Sequence, residues 1–266
     1  MNASQTLESR YNEVRTRVGE ACASAGRTPS SVILVAVAKH AEIDDIRELI
    51  ELGHRDFGEN RVQQLIQRAS VVKEWFDRMS VLERTRAQRS AGDGEGGVFD
   101  ADKPVRWHMI GSLQRNKARK VVEFSRLIHS VDSLRLAEEL QTIANKRDET
   151  IDVLVQVNCS GEDQKHGCPV AAAGVLAEQI DTMINVRVRG LMTMAAETDN
   201  PETTRTTFRR CRELFEDIRR EGAGEGRFDL LSMGMSGDYE IALEEGANIV
   251  RVGTSIFGAK PETVEA

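Results

Sequence analysis

The sequence predicts a (β/α)8 barrel, and three observations support that prediction. Eight short apolar segments recur along a chain of 266 residues. Several are apolar on both faces, which is typical of a parallel sheet covered by helices. Amphipathic segments with helical spacing lie between them. Since the length suits one barrel-sized core, we expect a single domain over residues 1–266.

The eight apolar segments are the predicted strands of the barrel, in chain order. They cover residues 32–39, 56–60, 106–111, 127–133, 152–158, 188–194, 230–236 and 249–258. Val, Ile, Leu, Ala and Met dominate them, because only 5% of the residues are aromatic.

The segments between the strands carry signals that start and stop helices. Residues 7–25 predict an extra helix before the first strand, and residues 43–52 place apolar side chains on one helical face. Gly53 is suited to end that second helix. Ser133 is suited to cap a later helix, and Pro201 fits the first turn of a long charged one.

One segment breaks this alternation of strands and helices. Residues 84–104 are polar and rich in glycine, with little periodicity. We interpret them as a flexible surface insertion between the second and third strands. A lid over a binding site is the alternative interpretation.

Composition excludes several functional classes. The net charge of −7 disfavours a nucleic-acid-binding protein, which usually carries a basic excess. The four cysteines form no C-x-x-C pair, so neither a disulfide framework nor a zinc site is expected. The sequence begins without a signal peptide and contains no run long enough to span a membrane, so we expect a cytoplasmic protein.

Lys39 is the first candidate functional residue, because it closes an apolar strand. An uncharged run, 32–38, precedes it. If this run encloses the amine, burial lowers its pKa and favours the neutral form, which attacks aldehydes to form Schiff bases. The alternative is a lysine that simply emerges into solvent at the end of the strand. The lysine alone does not decide between the two.

Two glycine- and serine-rich strand ends predict a phosphate site. Barrel enzymes commonly bind phosphate at the loops after the last two strands, where these segments lie. Ser236 offers a hydroxyl, and Gly253 and Thr254 offer backbone amides. Ordinary turns use the same residues, which is the alternative. A phosphate site and a Schiff-base lysine in one barrel mouth together suggest pyridoxal phosphate (PLP).

Motifs along nearly the whole chain resemble the pyridoxal phosphate homeostasis protein family. The matching motifs are AVAK, FGENRVQ, WHMIGSLQRNK, HSVDSLRLAEEL, GLMTM, SMGMSGDYEIAL and VRVGTSIFG. The resemblance implies a barrel like the N-terminal domain of alanine racemase, with the cofactor on Lys39. It implies phosphate contacts from Ser236, Gly253 and Thr254. It also implies that Arg251 lies near the pyridine nitrogen and Asn60 beside the ring.

The main interpretation is a non-enzymatic protein that holds PLP and passes it to apo-enzymes, and we expect a monomer. The main alternative is an amino-acid racemase, which needs a base on each face of the substrate. Alanine racemase takes its second base, a tyrosine, from a further domain that this sequence lacks, and neither Tyr11 nor Tyr239 is expected in its place. A phospho-sugar isomerase or aldolase on the same fold is a third possibility.

Overall fold

The computed structural model describes residues 5–89, 103–162 and 166–258, and the side chains of all of these except 83–89. The helices are α1 Leu7–Ser24, α2 Ile43–Glu51, α3 Val62–Arg89, α4 Arg115–Val122, α5 Leu134–Arg147, α6 Val170–Asp181, α7 Pro201–Arg220, α8 Tyr239–Glu244 and α9 Thr254–Phe257. The strands are β1 Ile33–Val37, β2 Asp56–Glu59, β3 Arg106–Met109, β4 Ser125–Val131, β5 Ile151–Asn158, β6 Cys168–Pro169, β7 Val186–Met192, β8 Leu230–Ser232 and β9 Ile249–Val252.

Eight of these strands form a closed parallel barrel. The order of hydrogen-bonded neighbours is β4-β3-β2-β1-β9-β8-β7-β5, and a pairing of β4 with β5 closes the ring. The two-residue β6 only extends the end of β5, where Cys168 pairs with Val157. All pairings between the strands of the barrel are parallel, as expected when a helix returns the chain after each strand. The predicted fold class is confirmed.

Alternation along the strands divides the apolar residues into two layers. A small cluster contains Val35, Leu127, Leu154, Met192 and Ile249, which come from five different strands. Their neighbours in sequence belong instead to a large cluster that includes the apolar faces of the helices. Because successive side chains in a strand point to opposite faces, the small cluster fills the barrel and the large one joins barrel to helices.

The predicted elements agree with the structure at most positions. Each of the eight predicted strands overlaps an observed one, and α1 is the predicted extra helix. Gly53 follows α2 with a φ of +89°, a conformation that costs glycine little. Ser133 occupies the N-cap position of α5, although its side chain makes no capping hydrogen bond. Pro201 is the first residue of α7.

The prediction for residues 84–104 was wrong at its start. Helix α3 continues to Arg89, so the first six residues of the predicted insertion are helical. Residues 90–102 lie outside the described part of the chain. Helices of the described ranges are all too short or too polar to cross a membrane.

Candidate functional site

A cavity of about 680 Å³ opens at the carboxyl ends of the barrel strands. This volume is within the range of small-molecule sites. The loops that follow the strands line it, which is the usual position of active sites in such barrels. The lining residues are Val37, Lys39, His40, Asn60, Arg61, Ile110, Gly111, Ser112, Gln156, His166, Met194, Met235, Ser236, Gly237, Arg251, Gly253, Thr254, Phe257 and Gly258.

All six residues predicted to bind the cofactor line this one cavity. Lys39 follows β1, Asn60 follows β2 and Ser236 follows β8, while β9 and its turn supply the remaining three. These strands are consecutive neighbours in the barrel, in the order β2-β1-β9-β8. Closure of the barrel therefore joins residues from the first and last quarters of the chain into one wall.

Of the two alternatives for Lys39, the structure shows the one in which the lysine emerges into solvent. Strand β1 ends at Val37, and Lys39 lies beyond it with an exposed side chain. Within the described residues, it makes no hydrogen bond or ion pair. Lys39 is therefore distinguished by its position in the cavity and not by an enclosing apolar wall. An exposed amine at the mouth is directly accessible to a ligand that enters from solvent.

Ser236 links the ends of β8 and β9 on one side of the cavity. Its Oγ accepts a hydrogen bond from the Gly253 amide at 3.0 Å. A longer contact of 3.5 Å joins the same oxygen to the amide of Ser255. The hydroxyl proton is left to donate, and the exposed Thr254 stands at the start of α9. The Gly253 amide, predicted to face a phosphate, here donates to Ser236 instead.

Arg251 forms the buried base of the cavity, with only 3% of its surface exposed. Its Nη1 donates to Ser232 Oγ at 2.6 Å, and its Nη2 donates to the carbonyl of Thr193 at 2.9 Å. Burial lowers the pKa of Arg251 to about 10. The guanidinium remains charged near neutral pH, because that value is still well above 7.

Asn60, after β2, presents a buried polar atom that has no partner among the described residues. Its Oδ1 is buried and accepts no hydrogen bond from the residues that the structure describes. Gly111 packs against it so closely that a Cβ there would lie 2.1 Å from the Asn60 carbonyl oxygen. Only glycine allows this approach, which fixes where Asn60 enters the cavity.

Sequence reasoning missed several lining residues. Arg61, Gln156, His166 and Met194 line the cavity although no motif singled them out as binding residues. Each follows, or stands near the end of, a predicted strand. The general rule that strand ends build barrel sites was therefore the available signal. Lys165, which shares a loop with His166, lies outside the described residues.

Neither tyrosine lines the cavity, and the described residues contain no metal-binding cluster. Neither Tyr11 nor Tyr239 is among the lining residues of the cavity. Tyr11 lies on the buried face of α1, and its hydroxyl hydrogen-bonds with His54 Nδ1 at 3.1 Å. In the described ranges, His, Cys, Asp and Glu side chains form no group of three or more that could hold a metal ion.

The fold and the site define a barrel of the alanine racemase N-terminal class. The family model "Alanine racemase, N-terminal domain" matches residues 12–261. Alanine racemase from Clostridium difficile has the same fold, with a TM-score of 0.68 at 14% identity. That match covers 97% of this chain but 57% of the racemase.

Within that class, the chain belongs to the pyridoxal phosphate homeostasis protein family. It is 36% identical to the Aquifex aeolicus pyridoxal phosphate homeostasis protein over 98% of this chain and 99% of that one. The Pseudomonas aeruginosa protein of that name is 35% identical, with 96% of each chain covered. A solved structure of PipY from Synechococcus elongatus with PLP bound is 33% identical, with a TM-score of 0.70, covering 91% of this chain and 100% of PipY.

Proposed function

We propose that this protein binds pyridoxal phosphate and serves its homeostasis, as a reservoir that releases the cofactor to apo-enzymes. The convergence of the six predicted residues in one cavity is the observation that carries the proposal. The PLP-bound structure of PipY and the names of the homeostasis proteins support it. When bound, PLP supplies an aldehyde that condenses reversibly with a primary amine and releases water.

The residues of the cavity suit the three chemical parts of PLP. Lys39 is the only lysine among the described residues that line the cavity, and its amine suits the aldehyde. Asn60 Oδ1 is a buried acceptor that lacks a protein partner in the described part of the chain, and Asn60 lines the same cavity, so its amide suits a contact with the ring. Ser236 and Thr254 suit the phosphate, and Arg251 suits an unprotonated ring nitrogen, to which its guanidinium would donate.

The same geometry favours storage over catalysis. A guanidinium with a pKa of about 10 does not readily give its proton to the ring, so the ring remains a weak electron sink. The imidazoles of the cavity, His40 and His166, are both exposed, so water competes with substrate for their protons. We therefore propose that the protein has no robust turnover of amino acids.

The Lys39→Ala variant tests the assignment. We expect purified wild-type protein loaded with PLP to absorb near-visible light and to give a stable pyridoxyl adduct on Lys39 after borohydride reduction. The variant should lose both signals while its circular dichroism spectrum stays unchanged. Lys73→Ala, which removes an exposed lysine on α3, is the matched control and should behave as wild type. An adduct on another lysine in the wild type would contradict the assignment.

A further inference from the structure

A chain of hydrogen bonds crosses the interior of the barrel and ends on Arg251. Asp56 Oδ1 contacts His108 Nε2 at 3.1 Å, and His108 Nδ1 contacts His129 Nε2 at 2.9 Å. His129 Nδ1 contacts Ser232 Oγ at 3.0 Å, and Ser232 Oγ contacts Arg251 Nη1 at 2.6 Å. We call these five residues the interior chain. They come from β2, β3, β4, β8 and β9.

The interior chain cannot be a set of incidental contacts between neighbouring strands. Strand β4 pairs with β3 and β5, whereas β8 pairs with β7 and β9, so His129 reaches Ser232 across the barrel. His129 and Ser232 are both 0% exposed, and His108 is 2% exposed. Buried polar groups of this kind are costly unless they are paired, and a fully paired network fixes a single arrangement.

The two ends of the interior chain, with His108 neutral as the inference requires, set the direction of every link. An ionised Asp56 can only accept, so His108 donates from Nε2, and the Nδ1 of the neutral ring accepts. His129 then donates from Nε2 and accepts at Nδ1, which obliges the hydroxyl of Ser232 to donate to His129. The lone pairs of Ser232 Oγ therefore face Arg251, whose guanidinium can only donate. In this arrangement each histidine carries a single ring proton, on Nε2.

The electrostatics agree with this assignment. Although burial raises the pKa of Asp56, hydrogen bonds from Arg106 and His108 outweigh it and hold that pKa below its ordinary value. Arg106 binds both carboxylate oxygens, at 2.7 Å from Nε and 2.5 Å from Nη2. Burial lowers the pKa of His129 well below 6.5, and the positive charge of Arg251 adds to the effect. The carboxylate is therefore charged and His129 neutral near pH 7.

We infer that the interior chain is a positioning device for Arg251, holding its guanidinium in one orientation at the base of the cavity as a permanent donor. The inference rests on the proposed function in one respect: the acceptor that Arg251 would serve is the ring nitrogen of PLP. Ser232 and His129 are then positioning residues that act on the ring only through Arg251. If the network only stabilised the fold, its disruption would weaken the binding of PLP and of inorganic phosphate equally.

The first test uses the protein without cofactor. Nitrogen-15 NMR at pH 7 should show His108 and His129 as neutral Nε2–H tautomers, and the Arg251 Nη groups as slowly rotating. Ser232→Ala should restore fast rotation of the Arg251 Nη groups, and Ser232→Thr, which keeps the hydroxyl, should slow it again. Ser130→Ala is the matched control, because Ser130 is also buried and its Oγ has no partner among the described residues.

A charged His129, an Nδ1–H tautomer, or Arg251 signals that Ser232→Ala leaves unchanged would overturn the inference. The tautomers are measured on the wild-type protein, so this measurement tests the inference even if a variant does not fold.

The second test separates the ring from the phosphate. In Ser232→Ala, the Kd for PLP should rise about tenfold, which corresponds to about 1.4 kcal/mol. The affinity for inorganic phosphate, measured by competition, should stay within about twofold of the wild type, since an energy change below about 0.4 kcal/mol is small on the same scale. Equal losses for both ligands would show a general collapse of the site and overturn the positioning role.

If the wild type binds no PLP, the proposed function fails. The NMR measurement then decides the inference by itself.

Discussion

Ser236 shows how one side chain serves both the fold and the site at the residue scale. Its Oγ accepts the Gly253 amide at 3.0 Å and so holds the turn after β9 against the end of β8. The same hydroxyl lines the cavity and keeps a proton to donate. Removal of the hydroxyl would therefore change both the shape and the hydrogen bonding of the proposed phosphate site.

The Ser236→Ala variant should bind PLP less tightly. A hydrogen bond to a charged group contributes about 1.5–3 kcal/mol, so the Kd should rise by roughly one to two orders of magnitude. Isothermal titration calorimetry measures this directly. Ser133→Ala is the matched control, because Ser133 lies in another loop on the same face and makes no capping bond with its side chain. An unchanged Kd in Ser236→Ala would show that Ser236 stabilises the turn and does not bind the phosphate.

His54 should make folding stability depend on pH. It is 6% exposed, bonded to Tyr11 and to the carbonyl of Asp56, and burial lowers its pKa from 6.5 to about 4. Between those values the unfolded chain binds a proton and the folded chain does not. The stabilisation is therefore present above pH 6.5 and is lost as the pH falls toward 4, by about 3 kcal/mol.

Urea unfolding at pH 7 and at pH 4.5 measures that loss. The His54→Gln variant should lose less stability between the two pH values than the wild type, by about 3 kcal/mol at most. His166→Gln, which replaces an exposed histidine, should show the wild-type dependence. If His54→Gln and the wild type lose the same amount, His54 is not the titrating group.

At the scale of elements, α3 holds the loop that carries Lys39. Arg68 on α3 forms an ion pair with Glu59, whose side chain is 0% exposed, and its Nη2 donates to the carbonyl of Ala41 at 2.7 Å. Burial raises the pKa of Glu59, while Arg68 opposes that rise. One side chain thus joins the end of β2 to the loop after β1.

Arg68→Met should be strongly destabilising, because it leaves Glu59 buried without its partner. The expected loss is about 3–5 kcal/mol in the free energy of unfolding, measured with urea. Arg78→Met breaks an exposed pair with Glu74 on the same helix and should cost less than about 1 kcal/mol. The double variant Arg68→Met/Glu59→Gln should recover part of the loss. A loss no larger than that of Arg78→Met would refute the role of Arg68.

The elements also show how far local sequence could predict the structure. The strand cores were predictable because apolar runs are visible in a short window of sequence. The length of α3 was not, because residues 84–89 are polar and rich in arginine, with no apolar face to indicate a helix. Polar residues with good helix propensity can continue a helix that is already nucleated, and a search for amphipathic faces overlooks them.

At the scale of the whole molecule, the barrel gathers groups that favour holding PLP over using it. Lys39 at the mouth is exposed, whereas Arg251 at the base is buried and cationic. Neither tyrosine reaches the cavity as a second base. Reversible binding needs the exposed amine, and racemisation needs acid–base groups on both faces of the substrate.

The PLP-loaded protein should therefore not exchange the α-proton of alanine catalytically. Incubation with L-alanine in deuterium oxide, followed by proton NMR and chiral chromatography, should show negligible deuterium uptake and no D-alanine. The same preparation should activate an apo-enzyme that depends on PLP, which shows that the bound cofactor is competent and transferable. Exchange well above the amount of protein would favour a racemase over a reservoir.

The sequence by itself determined the order of strands and helices, and hence which residues stand at the open end of the barrel. Runs of Val, Ile and Leu form strands wherever they are buried, and parallel strands joined by helices bring their carboxyl ends together. Lys39, Ser236, Gly253 and Thr254 could be placed at one mouth for that reason, and their chemical types indicated the ligand. Asn60 and Arg251 were added by the resemblance to the homeostasis family.

Only the tertiary structure decided the exposure of Lys39 and the contact between His129 and Ser232, which are separated by 103 positions. Burial at the end of a strand depends on how the following loops pack, which local patterns do not encode. A contact across the barrel depends on strand register and closure, which many residues set together. The sequence therefore determined which residues reach the site, while packing decided which of them are buried, charged and held in place.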